Sequence, residues 1–301
     1  MPVVTEPQPA SLPLTGGKRG ATIKVHPILS GEIRAPRAHT DRPRGRLANV
    51  KIASQLLGPR GGWSWLPVPA FLVEHPGVGP ILIDTGLHPS CATDVGANMG
   101  RAGKLIYQVR MEHDQALRFQ LPARGLEPRE IRVVIMTHLH IDHASAVSEF
   151  PHATFIVDRR EWAAAVEGGL RQGYHHRQFD HAFDWRTVDY GAPSVRSFAS
   201  FAQSLDLFGD GSIRLLATPG HTLGHQSVLL RTGTSEVLVM GDAAYTEREL
   251  RGEAQPLVVA DEHLRRRSLG EIRRYVEQTP NAVVIPGHDA TAWSKLKSVY
   301  E

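Results

Sequence analysis

Four side chains able to bind a metal fall within six residues: His138, His140, Asp142 and His143, in the string THLHIDH at 137–143. They follow the apolar run IRVVIM at 131–136, which reads as a buried strand. In extended backbone, side chains two apart point the same way, so His138 and His140 can grip one ion together. A turn after them turns Asp142 and His143 toward a second ion nearby. Buried polar groups need partners, and four in six residues are hard to place in a core without a cation. Imidazole and carboxylate suit zinc and similar borderline ions.

Three later elements repeat the theme. Thr218-Pro219-Gly220-His221 follows the strand IRLLA, Gly241-Asp242 follows VLVM, and Pro286-Gly287-His288 follows AVVI. Each places one donor just past an apolar strand, beside a glycine that allows close backbone approach. Any one alone is a weak signal. Together with the first cluster they describe a two-metal site.

The rest of the chain reads as mixed α/β. Strands are expected at 22–29, with Pro27 pointing to an edge position, and at 131–136, 154–157, 213–217, 226–230, 237–240 and 282–285. A hairpin is expected from 68–74 and 80–84 around HPGVG. Helices are expected within 94–120, at 161–167 and at 262–278, with a long loop at 168–193. Strands come in two groups, each followed by helices, which fits two packed sheets with helices outside. The Pro- and Gly-rich residues 1–21 are expected to form a flexible arm before a domain at 22–301.

Composition excludes more than it selects. The chain has 301 residues, 41% of them hydrophobic, and no stretch approaches the roughly 20 apolar residues of a membrane span. A single cysteine, Cys91, allows no internal disulfide, and no secretory signal is legible, so a cytoplasmic protein is expected. Residues 1–60 hold ten Lys/Arg against three Asp/Glu. Such runs are usually solvated, and neither a nucleic-acid nor a membrane partner is expected.

The string HLHIDH at 138–143, followed by single His, Asp and His after strands, resembles the metallo-β-lactamase superfamily. That resemblance implies an αββα sandwich with the site along one edge. It implies that His138, His140 and His221 hold one divalent ion and Asp142, His143 and His288 a second, both expected to be zinc, with Asp242 bridging. Asp84 in ILIDTG matches the family's early strand-end aspartate, which orients a ligand. His225 is expected to be structural or to support a ligand from behind, not to be a ligand itself.

Within the superfamily, GPILIDTGLHP, PHATFIVDRREW, TPGHTLGHQSVLL and GDAAYTE resemble the N-acyl homoserine lactone lactonases. Tyr245 matches their substrate-contacting tyrosine. The chain departs from them after His143, where Ala144-Ser145-Ala146-Val147 stands in place of the common Ala-Gly-Gly-Asn.

The implied reaction opens a small-molecule lactone, through attack on the ester carbonyl by a hydroxide shared between the ions. Tyr245 and Asp142 serve as hydrogen-bond donor and proton carrier. The alternatives are a same-fold hydrolase of another lactone, a thioester or a phosphodiester and, remotely, a nucleic-acid-binding protein with structural metals. A homodimer is compatible with the sequence. A second histidine group, His175, His176 and His181 with Asp180, reads as a substrate-covering loop with its aromatics toward the site. The segment 63–71 and the apolar residues Met99, Leu105, Ile106 and Met111 are candidates for an acyl-chain groove.

Overall fold

The computed structural model describes residues 3–57 and 62–301. Along the chain the first eight strands are β1 (Gln8–Pro9), β2 (Lys24–Pro36), β3 (Trp63–His75), β4 (Gly79–Ile83), β5 (Gln108–Arg110), β6 (Val133–Ile135), β7 (Thr154–Asp158) and β8 (Asp184–Val188). They form one mixed sheet in the order β1-β8-β7-β6-β4-β3-β2-β5. The next six are β9 (Arg196–Phe198), β10 (Phe201–Asp206), β11 (Ile213–Ala217), β12 (Gln226–Arg231), β13 (Glu236–Gly241) and β14 (Val283–Pro286). They form the second sheet, ordered β14-β13-β12-β11-β10-β9.

Side-chain alternation explains why the sheets stack. Ile81 and Ile83 of β4, Val228 and Leu230 of β12, and Val237 and Val239 of β13 share the core between the sheets. Their neighbours Leu82, Leu229 and Leu238 face outward, where helices cover them. Helix Arg159–Glu167 buries Trp162 and Ala165 against the first sheet, and helix Glu262–Gln278 buries Leu269, Ile272 and Tyr275 against the second. The result is the expected αββα sandwich. No helix among the described residues is long and apolar enough to cross a membrane.

Several boundaries differ from the sequence reading. The strand expected at 22–29 continues to Pro36, because a register shift between Leu29 and Glu32 bends it past the edge of the site. β5 pairs only with Glu32–Arg34, and beyond it Val25 alone bridges to Tyr300, so Pro27 itself sits where no N–H is needed on that side. The expected helical region contains β5, and the expected loop 168–193 contains β8.

The described part of segment 1–21 corrects the expectation of a flexible arm. Gln8–Pro9 pairs in parallel with β8, the Ala10 N–H donates to the Thr187 carbonyl at 2.8 Å, and the Leu14 N–H donates to that of Leu207 at 2.8 Å. Val3, Leu12 and Leu14 pack partly buried against the two cores. Prolines lack the N–H that a central strand needs, and here they lie on the outermost edge.

Candidate metal centre and active site

β6, β11, β13 and β14 all stop where the donors converge, and each is followed within a few residues by one or more of them. The chain approaches itself closely there. A Cβ on Gly287 would stand 2.3 Å from the Asp242 carboxylate, and one on Gly220 the same distance from the Arg265 backbone. Only glycine fits beside Asp242 and His221.

The seven expected donors form two groups. His138, His140, His221 and Asp242 each offer an atom within 4.8 Å of the others, and so do Asp142, His143 and His288. All seven are largely or wholly buried. Their outer ring nitrogens are tied to the protein. His143 Nδ1 donates to Asp84 at 2.8 Å, His288 Nδ1 to the Pro67 carbonyl at 2.7 Å, and His138 Nδ1 to the Thr137 hydroxyl at 3.0 Å. Asp84 also accepts from the Thr137 N–H at 2.7 Å and its hydroxyl at 2.8 Å. Asp84 therefore orients both the start of the ligand loop and His143, from a backbone with φ +56°. Fixing one nitrogen of an imidazole sets which lone pair faces inward.

Those inward atoms crowd one another with too few protons to pair them all. His221 Nε2 lies 2.9 Å from His140 Nδ1 and 3.2 Å from His138 Nε2, and at most one proton can serve all three. His143 Nε2 and Asp242 Oδ1 are buried 3.5 Å apart, and neither meets a partner in hydrogen-bond geometry, although Asp242 Oδ1 also lies 3.2 Å from His288 Nε2. Burial pushes His138 and His221 well below the usual histidine pKa, and His140 down to about 4, so these rings are neutral and present lone pairs. Burial opposes charge on His143 and His288 as well, but Asp142 and Asp242 outweigh it and raise both. Two divalent cations would satisfy every one of these atoms and take over the role of those protons. The donor set fits them.

Four further residues support the site, and one of them was expected. His225 accepts the Asp242 N–H on Nε2 at 3.0 Å and donates from Nδ1 to the Thr218 hydroxyl at 2.9 Å, so both nitrogens are occupied, as the structural reading held. Glu161, fully buried, accepts from the Leu139 N–H at 2.9 Å and the Tyr174 hydroxyl at 3.1 Å, bracing the loop between His138 and His140. Glu249 accepts the Tyr245 N–H at 2.9 Å and pairs with buried Arg265. His39 lies against Tyr245, ring centroids 5.0 Å apart. Glu161 was legible as an acid among the apolar positions of its helix; Glu249 and His39 carried no sequence signal.

Tyr245 is buried, its hydroxyl 3.4 Å from His221 Nδ1. It lines a cavity of about 100 Å³ with His39, Tyr107, Asp142, Asp242 and His288. Ser145, one of the departures from the lactonase pattern, donates to Asn98 at 2.7 Å and accepts the His88 N–H at 3.0 Å, tying the ligand loop to helix Val95–Ile106.

Two expectations about the surroundings change. The group His175, His176, Asp180 and His181, expected to cover the substrate rather than to bind a metal, is tied into the protein: His176 bonds the Ala165 and Gly168 carbonyls, and Asp180 accepts from Val4 and Thr5. Of the loop's aromatics, Phe179 and Trp185 are drawn into the core with Trp162, and Tyr174 alone reaches a donor, His140, at 5.0 Å between rings. Met99 and Met111 are likewise core, Leu105 is exposed, and the Ile106 side chain lies outside the described residues.

Residues 63–288 match the family model of the metallo-β-lactamase superfamily, and the chain belongs to that superfamily. It is 35% identical over 243 residues to N-acyl homoserine lactonase AttM of Rhizobium radiobacter, an alignment covering 78% of this chain and 87% of that protein. Its fold is shared with a solved N-acyl homoserine lactone hydrolase that holds the product N-hexanoyl-L-homoserine at its catalytic metal center. That match has a TM-score of 0.74 at 24% identity and covers 92% of this chain and 97% of the other. AidC, a dizinc quorum-quenching lactonase, matches with a TM-score of 0.56 at 15% identity, over 91% of this chain and 89% of its own.

Proposed function

We propose that this chain hydrolyses the lactone ring of N-acyl homoserine lactones with two zinc ions. What carries the reading is the placement of Tyr245 beside two convergent donor groups, in a chain 35% identical to a lactonase over most of its length. His138, His140 and His221 would hold one ion and Asp142, His143 and His288 the other, with Asp242 between them. When bound, such a pair supplies Lewis acidity, bringing the pKa of water toward roughly 7 and polarising an ester carbonyl.

The chain's own residues do the rest. Burial, and then the carboxylates of Asp242 and Asp142, push the Tyr245 phenol well above its usual pKa, so it stays protonated. It can donate to the carbonyl oxygen as negative charge develops there. Asp142, in the cavity wall and 3.4 Å from His288 Nε2, carries a proton to the ring oxygen as the C–O bond breaks. Hydrolysis thus places hydroxyl on the carbonyl carbon and hydrogen on the departing oxygen. Ile141 and Val258 give the same cavity an apolar wall that limits bulk water.

The test offers zinc-replete protein N-hexanoyl homoserine lactone, a β-lactam, a glutathione thioester and a phosphodiester in parallel, with proton release followed. The acyl lactone should show the highest kcat/KM. A higher value for any of the other three overturns the reading.

A further inference from the structure

His39 precedes the segment matched by the family model, yet the fold brings it into the wall of the catalytic cavity. Its backbone is anchored: the Leu257 N–H donates to its carbonyl at 3.3 Å, and the neighbouring Ala38, fully buried, donates its N–H to Gln55 at 2.8 Å. Its ring leans on Tyr245 at an interplanar angle of 34°. Neither ring nitrogen is hydrogen-bonded to any described residue. Arg171 and Gln172 also reach this cavity, but from exposed positions on its rim. His39 and the Tyr107 hydroxyl are the anchored polar groups there that neither bind an ion nor bond to a described residue, and of the two it is His39 that packs on Tyr245.

We propose that His39 is a substrate-positioning residue that hydrogen-bonds the acyl amide of the lactone, an inference that rests on the lactonase reading. The argument is stereochemical. Tyr245 addresses the ring carbonyl, and the amide nitrogen lies two bonds from that carbonyl carbon, about 2.5 Å away. A group packed on Tyr245 is therefore within reach of the amide whenever the carbonyl is in place. An amide offers one N–H and one carbonyl, and a neutral imidazole offers one acceptor and one N–H. Above the ordinary histidine pKa of about 6.5 an imidazole is in that neutral form.

The experiment compares N-hexanoyl homoserine lactone with γ-butyrolactone, which has the ring but no amide, on zinc-replete wild type, His39→Phe and His39→Gln. Phenylalanine keeps a ring against Tyr245 and removes both nitrogens, whereas glutamine restores a donor and an acceptor. His39→Phe should raise KM for the acyl lactone about tenfold, the scale of one net hydrogen bond, with kcat nearly unchanged. Its kcat/KM for γ-butyrolactone should stay within about twofold, inside the spread of a neutral change. His39→Gln should recover most of the acyl-lactone affinity. Equal losses on both lactones, or no loss on either, would overturn the role of His39 alone. Wild-type protein inert toward the acyl lactone overturns the lactonase reading, and this inference with it.

Discussion

His75 and His143 are both buried imidazoles held against a carboxylate, and they differ in what their partners leave over. His75 accepts the Gly77 and Val78 N–H groups on Nδ1, each at 3.1 Å, and its Nε2 lies 3.1 Å from Asp210 and 3.0 Å from Ser212. Both nitrogens are used, and they tie the β3–β4 turn to residues 210–212. His143 spends Nδ1 on Asp84, and its Nε2 meets only carboxylate oxygens beyond hydrogen-bond geometry, 3.5 Å from Asp242 and 3.8 Å from Asp142. The first cluster is complete as protein. The second is a convergent set of seven metal-competent donors whose inward atoms cations would complete.

Removing a group from the second cluster should therefore change chemistry, and removing one from the first should change stability. The largest effect is expected from Asp142→Asn. It should lower kcat by about 10²–10⁴-fold, the range of a lost proton-transfer group, while metal analysis still finds the ion held by His138, His140 and His221. Loss of both ions, or wild-type turnover, contradicts the role given to Asp142.

Tyr245→Phe comes next. It removes one hydroxyl and almost no volume, so metal content should hold. An oxyanion donor typically contributes about 10²–10³-fold, and sharing this oxygen with an ion places the loss at or below the lower end. The loss should appear equally in kcat and kcat/KM. A rise in KM alone would make Tyr245 a ground-state clamp instead.

Much of this was legible before the fold was known, because the donors follow strands whose apolar runs are self-announcing. THLHIDH, TPGH, GD and PGH each stand at the end of such a run, and β6, β11, β13 and β14 end there. What was not legible is whatever the tertiary path decides. His39 reaches Tyr245 because residues 39–42 hydrogen-bond with residues 255–257, more than 200 positions away. Residues 3–14 look like a solvated arm until β8 offers an open edge. Phe179 and Trp185 look like a lid until Trp162 and Phe155 offer a core. Glu161 looks like a surface acid unless its place on the apolar stripe of its helix is weighed.

Glu161 gives a third way to sharpen the contrast. Burial raises its pKa to about 7, against its polar contacts to Thr222, Leu139 and Tyr174. A folded-state pKa above the unfolded one means stability that is present below about 4.5 and declines as pH rises toward about 7. Glu161→Gln lacks that slope and keeps an oxygen for Leu139 and Tyr174. Denaturant unfolding of both proteins should show wild type losing roughly 3 kcal/mol relative to the variant between pH 4.5 and 7, then no further change. Parallel pH profiles contradict it.

The smallest effect on activity is expected from His75→Ala. Unfolding should show a loss of about 1–3 kcal/mol, the cost of stranding buried polar groups, with kcat/KM for the lactone within about twofold of wild type. A large catalytic loss would mean that the two clusters are not independent.

The central claim is that the inward atoms of the second cluster await two cations. Zinc titration of metal-free protein in buffers of different ionisation enthalpy tests it directly, because stoichiometry and proton exchange are read together. Asp142 and Asp242 raise the pKa of His143 and His288, so binding should displace protons from these rings. The account predicts two zinc ions per chain, bound with net proton release. One ion or none, or binding without proton release, would contradict it.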